Sequence, residues 1–208
     1  MDIRIGNGYD VHALAAGLPM WLGGVQIPSE NGFVAHSDGD VAIHALCDAL
    51  LGALGLGDIG HLFPDTDPAW KGVDSKLLLE KVVSLLAEYG YMAGNVDITI
   101  ALQQPKLAPY INPMRVTLAN ILGLTPDRVS VKATTTERLG FVGRGEGCEV
   151  WATALVIGGI GHGGGCGGHG GGCGGHADGC GGHGGHGDGH CGCHGEGEGH
   201  CGCGRCCR

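Results

Sequence analysis

The chain has 208 residues, with 12 Lys and Arg against 21 Asp and Glu, and 45 Gly. That acidic balance excludes the broad basic footprint that nucleic-acid binding needs, and nothing approaches the roughly 18 consecutive apolar residues of a membrane-spanning helix. Glycine crowds one end: of the 51 residues from Gly158 to Arg208, 26 are Gly, 9 Cys and 8 His, so the chain divides into a core over residues 1–157 and a low-complexity tail over 158–208.

The first residues, Met1-Asp2-Ile3-Arg4-Ile5-Gly6, lack the basic and apolar regions of a secretory signal. The core has two cysteines, Cys47 and Cys148, too few for a disulfide framework, and the chain reads as cytoplasmic with reduced thiols. Arg4 to Leu14 is predicted as a strand, and Met20 to Ile27 as a second strand interrupted by Gly23-Gly24. Asp38-Gly39-Asp40 reads as a turn and N-cap for a helix from Val41 to about Leu54, whose apolar residues recur at helical spacing. The stretches 57–60 and 64–68 read as loops. Asp74 caps a second helix running to about Tyr89. A strand over Val96 to Leu102, a helix over Leu107 to Leu122, and strands over Val129 to Thr134 and Glu149 to Ile157 complete the core. The alternation predicts an α+β, sandwich-like domain: one sheet with helices packed on one face.

Several residue groups carry chemistry. In Asp10-Val11-His12, positions i and i+2 of a strand face the same side, so a carboxylate and an imidazole point together. Alone, the pair also reads as a surface Asp and a surface His. His44, in the first helix, alone reads as a half-buried histidine with ordinary partners. Together the three form a candidate Asp-His-His zinc site with an open fourth position, the arrangement of catalytic zinc. The Gly-rich stretch Gly57-Asp58-Ile59-Gly60 and the following Asp65 offer polar groups to sugar hydroxyls, or form a polar turn. Lys132 to Glu137 ends a strand with hydroxyls and N–H groups suited to phosphate, and Glu137 is a candidate Mg²⁺ ligand; its threonines are equally ordinary strand residues. No Walker loop and no Gly-x-Ser-x-Gly elbow occurs.

Read in order, Arg4–His12, Leu22–Pro28, His36–Val41, His44-Ala45-Leu46, Gly57–Gly60, Phe63–Pro68, Val131–Glu137 and Gly143–Gly147 resemble the 2-C-methyl-D-erythritol 2,4-cyclodiphosphate synthases. The likeness covers about residues 2–157. It implies a homotrimer with one mixed sheet per subunit facing the axis and active sites between subunits. It implies conversion of 4-diphosphocytidyl-2-C-methyl-D-erythritol 2-phosphate into the cyclodiphosphate and CMP, by attack of the substrate's own 2-phosphate on its β-phosphate. By position, Asp10, His12 and His44 become zinc ligands, and Glu137 helps hold Mg²⁺ or Mn²⁺. His36 and Ser37 lie near the 2-phosphate. Asp58, Gly60 and Asp65 contact the methylerythritol part, and Lys106, Ala133, Thr134 and Thr135 line the cytidine diphosphate site. His36, Asp58, Thr135 and Glu137 make up the implied catalytic set. Phe141 and Arg144 match positions lining a central cavity that in some members holds an isoprenoid diphosphate. Two other readings stand beside it: a metal-storage or delivery protein that uses the core as a trimeric scaffold, and a phosphohydrolase that uses the same zinc.

The tail repeats every seven residues, with His162, His169, His176, His183 and His190 and, in phase, Cys166, Cys173 and Cys180. Glycine fills the positions a coiled coil would give to apolar residues, so the tail is expected to be disordered. Its Cys and His suit zinc, nickel or Cu(I); a repeat expansion without a role fits the same period.

Overall fold

The computed structural model describes residues 2–64, 67 and 70–159. The tail, with its expected disorder and metal ligands, lies outside the described residues, as does Asp65 of the candidate sugar loop.

Among the described residues seven strands form: β1 (Asp2–Ala16), β2 (Met20–Leu22), β3 (Val25–Ile27), β4 (Asn31–Phe33), β5 (Tyr91–Ala101), β6 (Val129–Thr134) and β7 (Gly147–Gly158). The helices are α1 (Val41–Ala53), α2 (Ile59–Leu62), α3 (Ser75–Glu88), α4 (Ile111–Leu122) and α5 (Gly140–Gly143). Five strands make one mixed sheet in the order β4-β1-β7-β5-β6. Only β5 and β6 run parallel; the other pairs are antiparallel. Helices α1, α3 and α4 pack over β1 and β7, β5, and β6 respectively, as the sequence predicts.

Three small elements differ from expectation. Gly23 and Gly24 do not interrupt a strand; their φ values of 57° and 76° reverse the chain into the β2–β3 hairpin, the two-residue turn that needs positive φ at both positions. The loop over 57–60 contains the start of α2, capped by Asp58. Strand β4 is a three-residue edge with no periodic signal of its own.

β1 shows how the sheet divides its faces. Ile3, Ile5, Tyr9 and Val11 are exposed, whereas Gly6 and Gly8 are buried and Asp10 and His12 half-buried on the opposite face. That opposite face meets α1, which is buried at ten of its thirteen positions, as expected for a helix that is apolar nearly all round. The contact is unusually close. A Cβ on Gly6 would lie 1.9 Å from the Ala49 carbonyl oxygen, and one on Gly8 would lie 1.9 Å from that of Ala45. Two glycines on the strand against Ala45, Ala49 and Ala53 on the helix therefore set the distance between these elements. The residues of α1 that are not buried are His44, Asp48 and Gly52, four apart and so on one side.

Asp40 fixes where α1 begins. It is fully buried, and its Oδ1 accepts the backbone N–H groups of Ile43 at 3.0 Å and Gly23 at 2.9 Å, while Oδ2 accepts that of Gly24 at 2.6 Å. One carboxylate thus caps the helix and ties the β2–β3 turn to it. Burial pushes the Asp40 carboxyl up, against the three N–H groups that favour its ionised form.

Candidate active site

Asp10 and His12 leave β1 on the face that α1 covers, and the close strand–helix contact brings His44 to them. Asp10 Oδ1 accepts the Val11 N–H at 2.8 Å, leaving Oδ2 free to face the imidazoles. His12 Nδ1 and His44 Nδ1 each lie 3.1 Å from that oxygen, and the two rings are 5.2 Å apart. Burial alone would raise the Asp10 carboxyl, but His12 and His44 outweigh it and hold the group at about 2.

This donor set fits a divalent metal. One potential ligand atom from each of the three residues falls within 4.8 Å of the others, and carboxylate oxygen with imidazole nitrogen is a zinc-type combination. His12 Nδ1 is buried and has no hydrogen-bond partner despite its 3.1 Å approach to Asp10. A buried nitrogen left without a proton partner beside a carboxylate is accounted for by a shared cation.

The triad forms one end of a cleft of about 480 Å³, which His36, Ser37 and Gly60 also line. Its apolar wall is Phe63 against Trp70, rings 5.0 Å apart and edge to face, with Leu78 and Val73. His36 is exposed, but its carbonyl accepts the Gly72 N–H at 2.8 Å, tying its segment to the loop before α3. Asp58 is exposed and caps α2; His61, 2.8 Å away, holds its carboxyl below the usual range. Asp48 Oδ1 accepts the Ile59 N–H at 2.8 Å and so anchors the start of α2 to α1.

Lys106, Ala133, Thr134 and Thr135 meet elsewhere. They line a second cleft of about 270 Å³ with Leu102 and Gln103, where the end of β6 approaches the segment after β5. The two clefts share no lining residue. Glu137 follows β6 in a left-handed turn, with φ of 51° there and 64° at Arg138. Non-glycine residues take that conformation at a cost of about 1–3 kcal/mol and persist in it mainly at functional sites. Thr135 Oγ1 donates to Glu137 Oε1 at 3.1 Å, so the turn presents a hydroxyl and a carboxylate together. Phe141 belongs to α5, and Arg144 just beyond it is exposed and paired with Glu146 at 2.8 Å. The structure therefore brings the expected residues together as two groups, with Asp58 and Arg144 at the surface.

One residue that sequence reasoning left out of the site, Ser75, sits against the triad, with Asp38 behind it. Ser75 Oγ is 3.0 Å from His44 Nε2, and Asp38 bonds that serine. In the sequence, Asp74-Ser75 is legible only as a helix start.

The chain is similar to known proteins over residues 3–157. The profile of the YgbB family matches residues 3–157. A 2-C-methyl-D-erythritol 2,4-cyclodiphosphate synthase of Thioalkalivibrio sulfidiphilus is 64% identical over 155 residues, which are 74% of this chain and 97% of that one. The Pseudomonas aeruginosa synthase is 60% identical, with 74% and 99% covered. Among solved structures, a 2-C-methyl-D-erythritol-2,4-cyclodiphosphate synthase in its CDP-bound form superposes with a TM-score of 0.69 at 41% identity, covering 74% of this chain and all of that one. The bifunctional IspDF of Campylobacter jejuni gives a TM-score of 0.72 at 46% identity; 74% of this chain matches, spanning 42% of that longer protein.

Proposed function

The chain belongs to the YgbB family, and on that premise we propose that it converts 4-diphosphocytidyl-2-C-methyl-D-erythritol 2-phosphate into 2-C-methyl-D-erythritol 2,4-cyclodiphosphate and CMP. It is a phosphorus–oxygen lyase of non-mevalonate isoprenoid biosynthesis. A 2-phosphate oxygen of the substrate forms a bond to the β-phosphorus, and the bond from that phosphorus to the oxygen bridging to the α-phosphate breaks, releasing CMP. No protein nucleophile is required, and catalysis reduces to positioning and charge stabilisation. The observation that carries this reading is the convergence of Asp10, His12 and His44 in the wall of one cleft.

Asp10, His12 and His44 would hold Zn²⁺ or another divalent transition metal, and Glu137 would help hold Mg²⁺ or Mn²⁺. Such ions draw negative charge from phosphoryl oxygens as CMP leaves. His36 and Ser37 face the 2-phosphate. Asp58, Gly60 and Asp65 contact the methylerythritol part. Lys106, Ala133, Thr134 and Thr135 take the cytidine diphosphate, with Thr135 also on phosphate.

The working unit in this reading is a homotrimer, with the metal cleft of one subunit completed by the cytidine cleft of a neighbour. The separation of the two clefts within one chain supports it, as does the sheet face turned away from the helices, where Ile3, Ile5, Tyr9, Val11 and Trp151 are all exposed and Ile5 reaches 64%. Phe141 and Arg144 would line the space at the axis. The catalytic domain is assigned to residues 1–157, and the Gly/His/Cys tail is an accessory segment able to bind metal. No helix among the described residues is long and apolar enough to cross a membrane; together with unpaired Cys47 and Cys148, this supports a cytoplasmic setting.

CMP release in the presence of Zn²⁺ and Mg²⁺ tests the reading. The full chain and a chain ending at Ile157 are expected to be equally active, and His44→Ala to fall to background. A linear product by ³¹P NMR would instead favour a phosphohydrolase. No release by the metal-loaded trimer would favour metal storage.

A further inference from the structure

Ser75 is the first residue of α3 and is wholly buried. Its hydroxyl lies between two polar groups, with Oγ 3.0 Å from His44 Nε2 and 2.5 Å from Asp38 Oδ1. Asp38 is fixed from two sides: Oδ2 accepts the Ser75 backbone N–H at 3.0 Å, and Oδ1 accepts that of Asp40 at 3.2 Å. An ionised carboxylate only accepts, and a serine hydroxyl has one proton to give. Asp38 takes that proton, so Ser75 Oγ turns only lone pairs toward His44. The form of the imidazole that Ser75 can bond is thus the one with the hydrogen on Nε2, and Ser37 Oγ, 3.2 Å away, can accept the same hydrogen. In that form the lone pair is on Nδ1, the nitrogen 3.1 Å from Asp10 Oδ2. Two lone-pair donors this close repel unless a proton or a cation lies between them.

We propose that Ser75, locked by Asp38, is a positioning residue that selects the His44 tautomer and keeps its Nδ1 lone pair facing Asp10 and His12. The proposal rests on the metal-site reading above. It gives the buried serine a task that packing alone does not, because a residue serving only to pin the 36–40 segment to α3 would not affect which ring nitrogen is protonated. Partners that orient a ligating histidine are worth about 10–100-fold in metal affinity.

The test is a long-range ¹H–¹⁵N correlation spectrum of the full-length, metal-free protein at a pH where the ring is neutral, with His44→Gln to assign the His44 signals. Asp10 competes for the same hydrogen at Nδ1, so the wild type is expected to hold more of the Nε2–H form than either variant. Ser75→Ala removes the acceptor. Asp38→Ala removes the group that takes the serine proton, freeing it to turn toward His44. Both variants are expected to lose Nε2–H population to the Nδ1–H form. Zn²⁺ occupancy is then followed at the His12 and His44 signals against a chelator of known affinity, so that ions held elsewhere on the chain do not count. Both variants are expected to bind about 10–100-fold more weakly, and Ser75→Thr, which keeps the hydroxyl, to restore the wild-type tautomer ratio. Unchanged tautomer and affinity in the variants would overturn the role of Ser75 while leaving the metal site intact. A wild type whose His12 and His44 signals ignore Zn²⁺ would overturn both readings. Should Ser75→Ala not fold, Asp38→Ala decides the matter.

Discussion

Replacing Gly8 with Ala tests whether the strand–helix distance sets the metal ligands. The added Cβ would lie 1.9 Å from the Ala45 carbonyl oxygen and 2.7 Å from the Ala49 nitrogen, whereas ordinary contact begins at 3.4 Å. Relief requires α1 to retreat by about 1.5 Å locally, and both obstructing atoms are backbone, so no side chain can swing aside. α1 is also held on its other sides by α3 and β2. The cost therefore belongs at the upper end of overpacking, about 3 kcal/mol, which for a domain of this size lowers Tm by roughly 6–12 °C. His44 precedes Ala45 and moves with it, while metal–ligand distances tolerate only about 0.2 Å. Gly8→Ala should thus lose both stability and CMP release. Gly52→Ala, on the same helix with its nearest obstacle 3.8 Å away, should gain about 0.5–1 kcal/mol from helix propensity and keep its activity. Thermal unfolding of the metal-free proteins and CMP release provide the readouts. If Gly8→Ala unfolds at the wild-type temperature with full activity, the glycine–alanine contact does not position His44.

Asp40→Ala strands three backbone N–H groups, those of Gly23, Gly24 and Ile43; at about 1 kcal/mol or more each, urea unfolding should show a loss of about 3–4 kcal/mol, and a loss under about 1 kcal/mol would show that the hairpin and helix relax independently. Burial pushes the Cys47 and Cys148 thiols up, and since the thiolate is the reactive form, neither should be alkylated in the native protein at mildly alkaline pH. Both should label after unfolding in urea, as read by peptide mass spectrometry; native labelling of Cys148 would mean that β7 opens.

The legible parts of this molecule are those whose signals are local. Asp10 and His12 share a strand face because the side-chain period is two, and Asp40 announces α1 because an acidic cap precedes an apolar helical repeat. The Gly23-Gly24 hairpin was equally local, but its flanking strands are three residues each, too short to reveal that the chain reverses. What is not legible is the spacing of elements. That Gly6 and Gly8 admit the helix backbone depends on a neighbour about forty residues away. The role of Ser75 depends on Asp38, 37 residues earlier, and on His44, 31 residues earlier. The separation of the Asp10 and Lys106 clefts likewise follows from sheet order, which the motifs do not encode.

That sheet order also bears on synthesis. β7 is the last strand made among the described residues, yet it lies between β1 and β5 and pairs with both along nearly its whole length. Until Gly158 is free of the ribosome, β1 and β5 lack the strand that joins them, and the exposed edges of both are open to wrong partners. Such long-range pairing is intrinsically slow. Because 50 residues follow Gly158, the strand can clear the ribosome and insert while the nascent chain is still tethered and kept apart from its copies.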